Sequence, residues 1–389
     1  MPVLHLAAAL LTVLALTPLV RRFALQLNIG DAANESRKIH SGTIPTLGGI
    51  AIFAGVAVAF AIGRYASNDF ANLIEKGFWA AIVGAALIAA VGALDDVVNL
   101  NFKIKFVAQI AIAIFTVVFG ERRIAQVPNP FGQSLELVEP FSSALTVVWI
   151  VGICNAVNLI DGLDGLAAGV IGIGAATMTL IAWLYGDVGL SIAYAAIAGA
   201  TLGFLRYNFN PAKIFMGDTG ALFIGYVMAC LPLFHSPATS DGIVWLQILI
   251  LGFPIADTLL APMRRLLSGA HPFKADREHI HHRLMFYLGL SHRHAVLRIY
   301  GACVGLCVAA LLMVFVAQAL GEKGVPFIAL IALSAAILGA IGLKRLGYFA
   351  ALVRKPAAQL LKRRPRRAEN ALRESDISPK PSYSRELTT

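Results

Sequence analysis

Charged residues are scarce in this chain: Asp, Glu, Lys and Arg make up 14% of it, whereas soluble globular proteins carry about 25%. Hydrophobic residues account for 58% of the 389 positions, and the mean hydropathy is +0.74. This shortage of charge excludes an ordinary soluble globular protein and indicates an integral membrane protein. Because apolar runs recur from the first residues to about position 345, no stretch remains for a separate soluble domain.

Cysteine is also scarce, and the four cysteines form no recognisable site. Each lies inside an apolar run, without the paired spacing of a zinc site or the framework of a secreted disulfide-rich domain. We therefore interpret Cys154, Cys230, Cys303 and Cys307 as small core residues. Basic residues are missing before the first apolar run and follow it at Arg21 and Arg22. This arrangement favours an uncleaved membrane anchor over a removable signal peptide.

Eleven apolar runs are long enough to cross a bilayer as helices, for which about 20 residues are needed. The sequence therefore predicts an all-α polytopic membrane protein with eleven transmembrane helices and its two termini on opposite sides. The predicted spans are 3–20, 47–66, 78–95, 103–120, 142–160, 162–184, 188–206, 219–235, 243–263, 296–317 and 325–345.

The distribution of lysine and arginine predicts the orientation. With the N-terminus outside, 27 of the 32 basic residues fall on the inner side and 5 on the outer side. Cytoplasmic loops are the ones enriched in such residues, so we expect a cytoplasmic C-terminus. Residues 1–346 form one predicted transmembrane domain. Residues 347–389, which include the run KRRPRR, are predicted to be a basic, disordered cytoplasmic tail.

Most of the net charge of +10 belongs to this tail. From Lys344 onward there are 12 basic and 4 acidic residues, a net charge of +8, which leaves +2 for the other 343 residues. Nucleic-acid binding requires basic residues gathered on a folded surface, so no nucleic-acid partner is expected. The tail instead lies beside a membrane, where basic residues attract anionic lipids.

Five aspartates lie at the ends of predicted spans, all on the predicted cytoplasmic side. Carboxylates are costly at a membrane and mark functional positions there. A proton or ion transporter would more naturally keep them near the bilayer midplane. Their placement favours a site at the cytoplasmic edge, formed by Asp95, Asp96, Asp161, Asp164 and Asp218.

The segment NAVNLIDGLDGLAAG repeats polar residues at every third position, namely Asn155, Asn158, Asp161 and Asp164. If the helix continued through the segment, these side chains would share roughly one face. The alternate acidic positions of an EF-hand are missing, which disfavours a calcium loop. Hard oxygen ligands of this kind suit Mg²⁺, which takes one or two carboxylates and completes its shell with water and phosphate.

Two further acidic motifs allow more than one interpretation. In IFMGDTGALFIGY, Asp218 could be an ordinary helix N-cap, or the helix start could bind a phosphate. The adjacent pair Asp95 and Asp96 suits a base or a cation site. Lys103 follows seven residues after Asp96, at the start of the next span.

The loop PFKADREHIHHRL contains three histidines and an arginine: His279, His281, His282 and Arg283. Zinc is disfavoured because no cysteine is near and zinc ligands usually come from more than one segment. Imidazoles beside an arginine would instead suit sugar hydroxyls and a diphosphate. The first inner loop, RKIHSGTIPTLGG, adds further basic residues, including Lys38 and His40.

With these motifs in order, the chain resembles the polyprenyl-phosphate N-acetylhexosamine-1-phosphate transferases over about residues 30–300. The resemblance rests on RKIHSGTIPTLGG, GALDDVVNLNFK, NAVNLIDGLDGLAAG, IFMGDTGA and HIHHRL. It implies Mg²⁺-dependent transfer of a sugar 1-phosphate from a UDP-sugar to a polyprenyl phosphate, with release of UMP, and Mn²⁺ as a substitute ion. The histidine loop looks like that of the bacterial branch that uses UDP-N-acetylglucosamine and undecaprenyl phosphate to begin a cell-envelope polysaccharide.

The resemblance also implies roles for individual residues. Asn158 and Asp218 would hold Mg²⁺. Asp95 and Asp96 would deprotonate or orient the lipid phosphate, Asp161 would support the centre and Lys103 would offset phosphate charge. Phe215 would stack on uracil and Asp164 would bind the base. The remaining substrate-binding residues would be Lys38, His40, His279, His281, His282 and Arg283.

Several alternatives remain open from the sequence. The donor could be UDP-GalNAc or UDP-MurNAc-pentapeptide, and a lipid-phosphate or ion transporter or a membrane scaffold are competing functions. Direct attack by the lipid phosphate and a two-step route through an aspartyl intermediate both fit these residues, and we favour direct attack. The expected location is the bacterial cytoplasmic membrane, with the site on the cytoplasmic face, and a homodimer is compatible with the sequence.

Overall fold

The chain folds almost entirely into helices, as its apolar runs predict. A computed structural model describes residues 1–31, 44–127, 134–235, 242–267 and 279–347. The described residues form fourteen α-helices, α1 (Pro2–Gln26), α2 (Gly48–Ala66), α3 (Asn68–Leu73), α4 (Trp79–Val98), α5 (Phe102–Gly120), α6 (Phe141–Ile160), α7 (Leu166–Leu184), α8 (Val188–Asn208), α9 (Gly217–Cys230), α10 (Gly242–Ile250), α11 (Gly252–Leu267), α12 (Ile280–Leu288), α13 (His292–Leu320) and α14 (Val325–Arg345).

Short turns and strands connect some of these helices. A π-helical turn (Ile74–Phe78) joins α3 to α4, and 3-10 turns follow α9 (Leu231–Phe234) and α13 (Gly321–Gly324). Two antiparallel pairs of two-residue strands lie in connecting segments: β1 (Gly30–Asp31) with β2 (Ile44–Pro45), and β3 (Gln126–Val127) with β4 (Leu135–Glu136). The described architecture is therefore all-α, which confirms the predicted class.

Among the described residues, ten continuous helical segments are long and apolar enough to cross a membrane, and there are up to eleven if the bent pair α10 and α11 counts as one span. Two of the ten, Asn68–Val98 and Gly217–Phe234, include the turns that adjoin α4 and α9. These ten and the bent pair correspond one to one to the eleven predicted spans. The chain is thus a polytopic membrane protein. Of the predicted tail, residues 347–389, all except Gly347 lie outside the described residues.

The ninth predicted span, 243–263, is wrong as a straight helix. The chain bends by 75° between α10 and α11. Pro254 lies in the first turn of α11 and has no N–H to donate to the carbonyl of Ile250, four residues earlier, so the helix cannot continue through this point. Gly252, the first residue of α11, adds backbone conformational freedom at the bend.

Helices α8 and α9 form the centre of the bundle and are buried along nearly their whole length. Helix α8 packs against α1 and α7, and α9 packs against α4 and α6. In contrast, every residue of α14 is exposed or half-buried. Large apolar side chains such as Leu11, Val107, Leu312 and Leu338 are exposed on the outer helices, as expected for surfaces that face lipid rather than water.

Successive long helices alternate in direction, which brings several polar helix ends to the same end of the bundle. Helices α4, α6 and α8 end where α5, α7 and α9 begin. Residues near these termini contact one another. For example, the backbone N–H of Gly165, just before α7, donates to the Asn208 side chain at the end of α8, at 3.0 Å. The predicted acidic motifs all lie at this end.

Candidate active site

Three helix termini bring the polar side chains of the site together. Asp95 and Asp96 lie near the end of α4, Asn158 near the end of α6 and Asp218 at the start of α9. Helices α4 and α9 approach so closely that a Cβ atom on Gly92 would lie 2.5 Å from the backbone oxygen of Asp218. Glycine at this position therefore permits the backbone contact that places the aspartates side by side.

Lys105, on α5, lies between two of these carboxylates. Its Nζ is 2.9 Å from Oδ2 of Asp95 and 2.7 Å from Oδ2 of Asp218. The second oxygen of Asp218 accepts a hydrogen bond from the Asn158 side-chain amide at 2.9 Å, and the second oxygen of Asp95 accepts from the backbone N–H of Leu100 at 2.7 Å. One ammonium group thus holds two carboxylates from different helices in a fixed arrangement.

Asp96 has a different role from its neighbour, because it caps the start of α9 from another helix. Its carboxylate accepts hydrogen bonds from the backbone N–H groups of Asp218 and Thr219, at 2.8 and 3.1 Å, and from the Thr219 hydroxyl at 2.6 Å. The cap interpretation of Asp218 is therefore wrong: the start of α9 has no cap from its own side chains, and its N–H groups bind Asp96 instead.

Carboxylates outnumber the lysine at this end of the bundle. Asp161 ends α6 and is half-buried. Burial, followed by the negative charges of Asp218, Asp96 and Asp164, raises the pKa of Asp161 well above its ordinary value. A proton on Asp161 or an added cation would relieve this repulsion.

The residues present fit Mg²⁺. Asn158 and Asp218 are in contact and, together with Asp95, offer amide and carboxylate oxygens, the hard ligands that this ion prefers. In the part of the chain that the structure describes, no group of three or more His, Cys, Asp or Glu side chains is placed to hold a metal. An ion held by Asn158 and Asp218 would need water or phosphate for its remaining ligands.

The predicted common face of Asn155, Asn158, Asp161 and Asp164 is only partly present. Helix α6 stops at Ile160, and Gly165 has a left-handed backbone with φ of 78°. This turn directs Asp164 away from Asn158: its Oδ2 accepts from the Asn210 side chain at 2.9 Å and from the backbone N–H of Ala212 at 3.0 Å. Asn155 donates to Gln109 at 2.6 Å. The prediction failed because the helix does not continue through the glycines.

Asp164 and Phe215 both belong to the region of the α8–α9 connection. Asp164 holds this connection through Asn210 and Ala212, and Phe215 lies near its end, half-buried. The backbone of Phe215 bonds to Pro45 and Gly48, at 2.9 and 3.0 Å, which fixes the start of α2 against the same segment. Asp164 is thus bonded to the connection that carries Phe215, and the uracil-binding role of both residues stays a prediction.

Of the predicted histidine loop, the structure describes His279 and the residues after it, and His281, His282 and Arg283 lie in helix α12 rather than in a loop. His281 lies against the turn after α6. The Nε2 atom of His281 is 3.4 Å from the position that a Cβ atom on Gly162 would occupy. His279 and His281 stack with 5.6 Å between ring centroids and 10° between ring planes, and both lie close to the buried carboxylate of Asp257. His281 therefore lies beside the turn that follows Asp161, and the role of these histidines in binding sugar and diphosphate stays a prediction.

Other predicted residues are placed differently or not described. The Arg283 side chain is buried and donates to the carbonyl of Leu346 at 3.0 Å, at the end of α14. Lys103 is exposed on α5, and its backbone N–H bonds to Asn101. Lys38 and His40 lie outside the described residues, as does the side chain of His282.

Sequence reasoning missed Lys105, although the pattern of α5 contained a signal for it. Gln109, Thr116 and Val117 are buried on one stripe of this helix, and Lys105 lies one turn before Gln109 on the same stripe. Lys103 lies two residues away, which on a helix is about half a turn. Asp257 was also missed, because a single aspartate in an apolar run carries no motif.

Comparison with known proteins places these observations in a family. A model of the family described as Glycosyl transferase family 4 matches residues 78–235. A probable undecaprenyl-phosphate N-acetylglucosaminyl 1-phosphate transferase of Bacillus subtilis (strain 168) is 44% identical over 294 residues, which cover 75% of this chain and 79% of the relative. An undecaprenyl-phosphate alpha-N-acetylglucosaminyl 1-phosphate transferase of Escherichia coli (strain K12) is 31% identical, with 71% and 74% covered. A decaprenyl-phosphate N-acetylglucosaminephosphotransferase of Mycolicibacterium smegmatis is 33% identical, with 76% and 77% covered.

Proposed function

The chain belongs to glycosyl transferase family 4, and we propose that it transfers N-acetylglucosamine 1-phosphate from UDP-N-acetylglucosamine to undecaprenyl phosphate, with release of UMP. The product would be the lipid-linked first sugar of a cell-envelope polysaccharide. The observation that carries the proposal is the cluster of Asp95, Lys105, Asn158 and Asp218, drawn from four helices to one end of a membrane bundle.

This end is where the two substrates can meet. The polyprenyl chain lies in the bilayer, so its phosphate is held at the headgroup level, while the UDP-sugar arrives from water. We assign the end to the cytoplasmic face, because 27 of the 32 basic residues fall on that side of the predicted topology. The N-terminus is then outside, and the location is the cytoplasmic membrane of a bacterium.

Joining two anionic substrates requires positive charge at the reacting groups. Mg²⁺ bound by Asn158 and Asp218 would supply part of it by offsetting the charge of the diphosphate, with Mn²⁺ as a substitute. We assign the rest to Lys105, the cation that lies between Asp95 and Asp218.

Asp95 is the better candidate to orient or deprotonate the lipid phosphate. Asp96 accepts three hydrogen bonds from the start of α9. In contrast, Oδ2 of Asp95 accepts from a side chain, the Lys105 ammonium, rather than from α9. In direct attack, an oxygen of the lipid phosphate bonds to the phosphorus that carries the sugar. The bond from this phosphorus to the bridging oxygen breaks, and UMP leaves with that oxygen.

The donor would lie across the surface formed by the α8–α9 connection and the histidine loop. Phe215 would stack on uracil, Asp164 would hydrogen-bond the base, and His279 and His281 would contact the sugar and diphosphate. Their positions support this assignment, because both groups border the turn between α6 and α7.

The proposal is tested with purified protein, labelled UDP-N-acetylglucosamine, undecaprenyl phosphate and Mg²⁺, with and without a chelator. We expect UMP and a labelled lipid only when the metal is present. Asp218→Asn should lower the rate by at least about 100-fold while the protein remains folded, and Asp69→Asn, an exposed residue near the start of α3, serves as the control. Near-normal UMP release by Asp218→Asn would contradict the site, and faster use of UDP-GalNAc or UDP-MurNAc-pentapeptide would change the donor.

A further inference from the structure

A fully buried carboxylate lies just behind the histidine loop. Asp257, on α11, is 0% exposed. It accepts a hydrogen bond from the backbone N–H of Ile280 at 2.6 Å and another from His279 Nδ1 at 3.0 Å. The Nδ1 atom of His281 is 3.6 Å from the same carboxylate. One buried side chain thus contacts three consecutive residues at the start of α12, namely His279, Ile280 and His281.

These contacts determine how the imidazole rings are oriented. An ionised carboxylate only accepts hydrogen bonds, so Nδ1 of His279 must carry the proton. The Nε2 atom of His279 then lies on the opposite side of the ring and faces away from Asp257. His281 stacks parallel to His279 at 5.6 Å, so the orientation of one ring constrains the other.

The location of this group connects it to the site. Helix α11 packs against α6, whose end carries Asn158 and Asp161. His281 Nε2 lies next to the Gly162 backbone, in the turn that follows Asp161. His279 keeps 13% of its side chain exposed, whereas Asp257 is fully enclosed. A bound molecule could therefore contact His279, whereas Asp257 and the His281 side chain, 2% exposed, lie behind it.

We propose that Asp257 is a positioning residue that fixes His279 and His281 in the orientation needed to bind the diphosphate and sugar of the donor. This inference rests on the proposed function. A buried carboxylate is costly unless it is hydrogen-bonded, and here its bonds go to the loop that faces the substrate. Groups that orient a metal-binding imidazole through its other nitrogen change metal affinity or activity by about 10-fold or more when removed, and we expect an effect of this size for a substrate-binding imidazole.

The test is Asp257→Asn in the full-length protein, with KM measured separately for UDP-N-acetylglucosamine and for undecaprenyl phosphate. Asparagine keeps one oxygen for the Ile280 N–H, but its amide nitrogen cannot accept from His279. We expect KM for the UDP-sugar to rise about 10-fold, with less than about a 2-fold change in KM for the lipid. A purely structural role would not separate the two substrates, so equal losses would overturn the proposal.

A matched control exists at the opposite end of α8. His235 Nδ1 is 2.8 Å from Oδ2 of Asp187, and this histidine is also buried. Helix α8 begins at Val188 and ends beside the site at Asn208, so 21 residues separate the control from the site, about 30 Å along a helix. Asp187→Asn should lower thermal stability to a similar extent without raising KM for the UDP-sugar. A selective rise in KM for the UDP-sugar in Asp187→Asn would count against the proposal.

A second variant keeps the test decisive if Asp257→Asn does not fold. His279→Phe keeps an aromatic ring to stack on His281 but cannot bond to Asp257 or to substrate, and it should raise KM for the UDP-sugar selectively. If Asp257→Asn folds, combining it with His279→Phe should cost less than the sum of the two changes, because each variant removes the Asp257–His279 contact. Additive effects would overturn the proposal. A wild-type protein that releases no UMP would instead overturn the proposed function.

Discussion

At the scale of single residues, the site depends on one lysine that is shared by two carboxylates. Lys105 contacts Asp95 and Asp218 at 2.9 and 2.7 Å, while Lys103, two residues earlier, is exposed. Lys105→Met should lower kcat/KM at least about 100-fold, because it removes the positive charge nearest the reacting phosphates. Lys103→Met should cost at least about 10-fold less. Steady-state release of UMP measures both.

The same pair of variants distinguishes catalysis from folding. Loss of Lys105 leaves Asp95 and Asp218 as neighbouring carboxylates without their ammonium partner, which also destabilises the fold. Thermal unfolding in the presence and absence of Mg²⁺ separates these effects, since an added cation should restore stability to Lys105→Met but not its activity. Equal loss of activity in Lys103→Met and Lys105→Met would contradict the placement of Lys105.

At the scale of helices, the start of α9 is held in place by a carboxylate from α4. Gly217 has φ of 71°, and a Cβ atom there would lie 2.4 Å from Oδ2 of Asp96. Gly217→Ala should therefore displace Asp96 and disturb the position of Asp218. We expect at least about a 10-fold loss of transfer activity, measured by UMP release, together with a lower unfolding temperature.

Gly186 provides the control for the strain that a side chain causes at a left-handed backbone position. It also has a left-handed backbone, with φ of 75°, but nothing lies within 4 Å of a Cβ atom there. Gly186→Ala should cost about 1 kcal/mol of stability from the backbone alone and leave transfer intact. If the two variants lost the same activity, contact with Asp96 would not be the cause.

Helix positions could be predicted from the sequence wherever apolar length decided them, as in α5 and α8. The sequence did not predict the bend before α11 or the turn after α6, because local glycine and proline chemistry there ends a helix inside an apolar pattern. It also identified the acidic residues but not their partners. Which lysine meets Asp218, or which carboxylate holds His279, depends on helices that are far apart in the chain and meet only in the folded bundle.

At the scale of the whole molecule, function depends on which side of the membrane the polar end faces. UDP-sugars are made in the cytoplasm, so an outward-facing site would lack its donor. The helix ends that form the site belong to the same side as the basic loops after α1, α4, α8 and α11. The distribution of positive charge therefore supports our proposal that the carboxylate cluster faces the cytoplasm.

Cysteine labelling tests this orientation directly. Tyr65 is 91% exposed at the end of α2 away from the site, and His294 is exposed at the start of α13 on the site side. The four native cysteines are at most 4% exposed, so they provide a low background. In intact cells, a membrane-impermeant maleimide should label Tyr65→Cys and not His294→Cys, and permeabilised cells should show labelling of both. The reverse pattern in intact cells would place the carboxylate cluster outside, away from any nucleotide donor, and would contradict the proposed reaction as well as the topology.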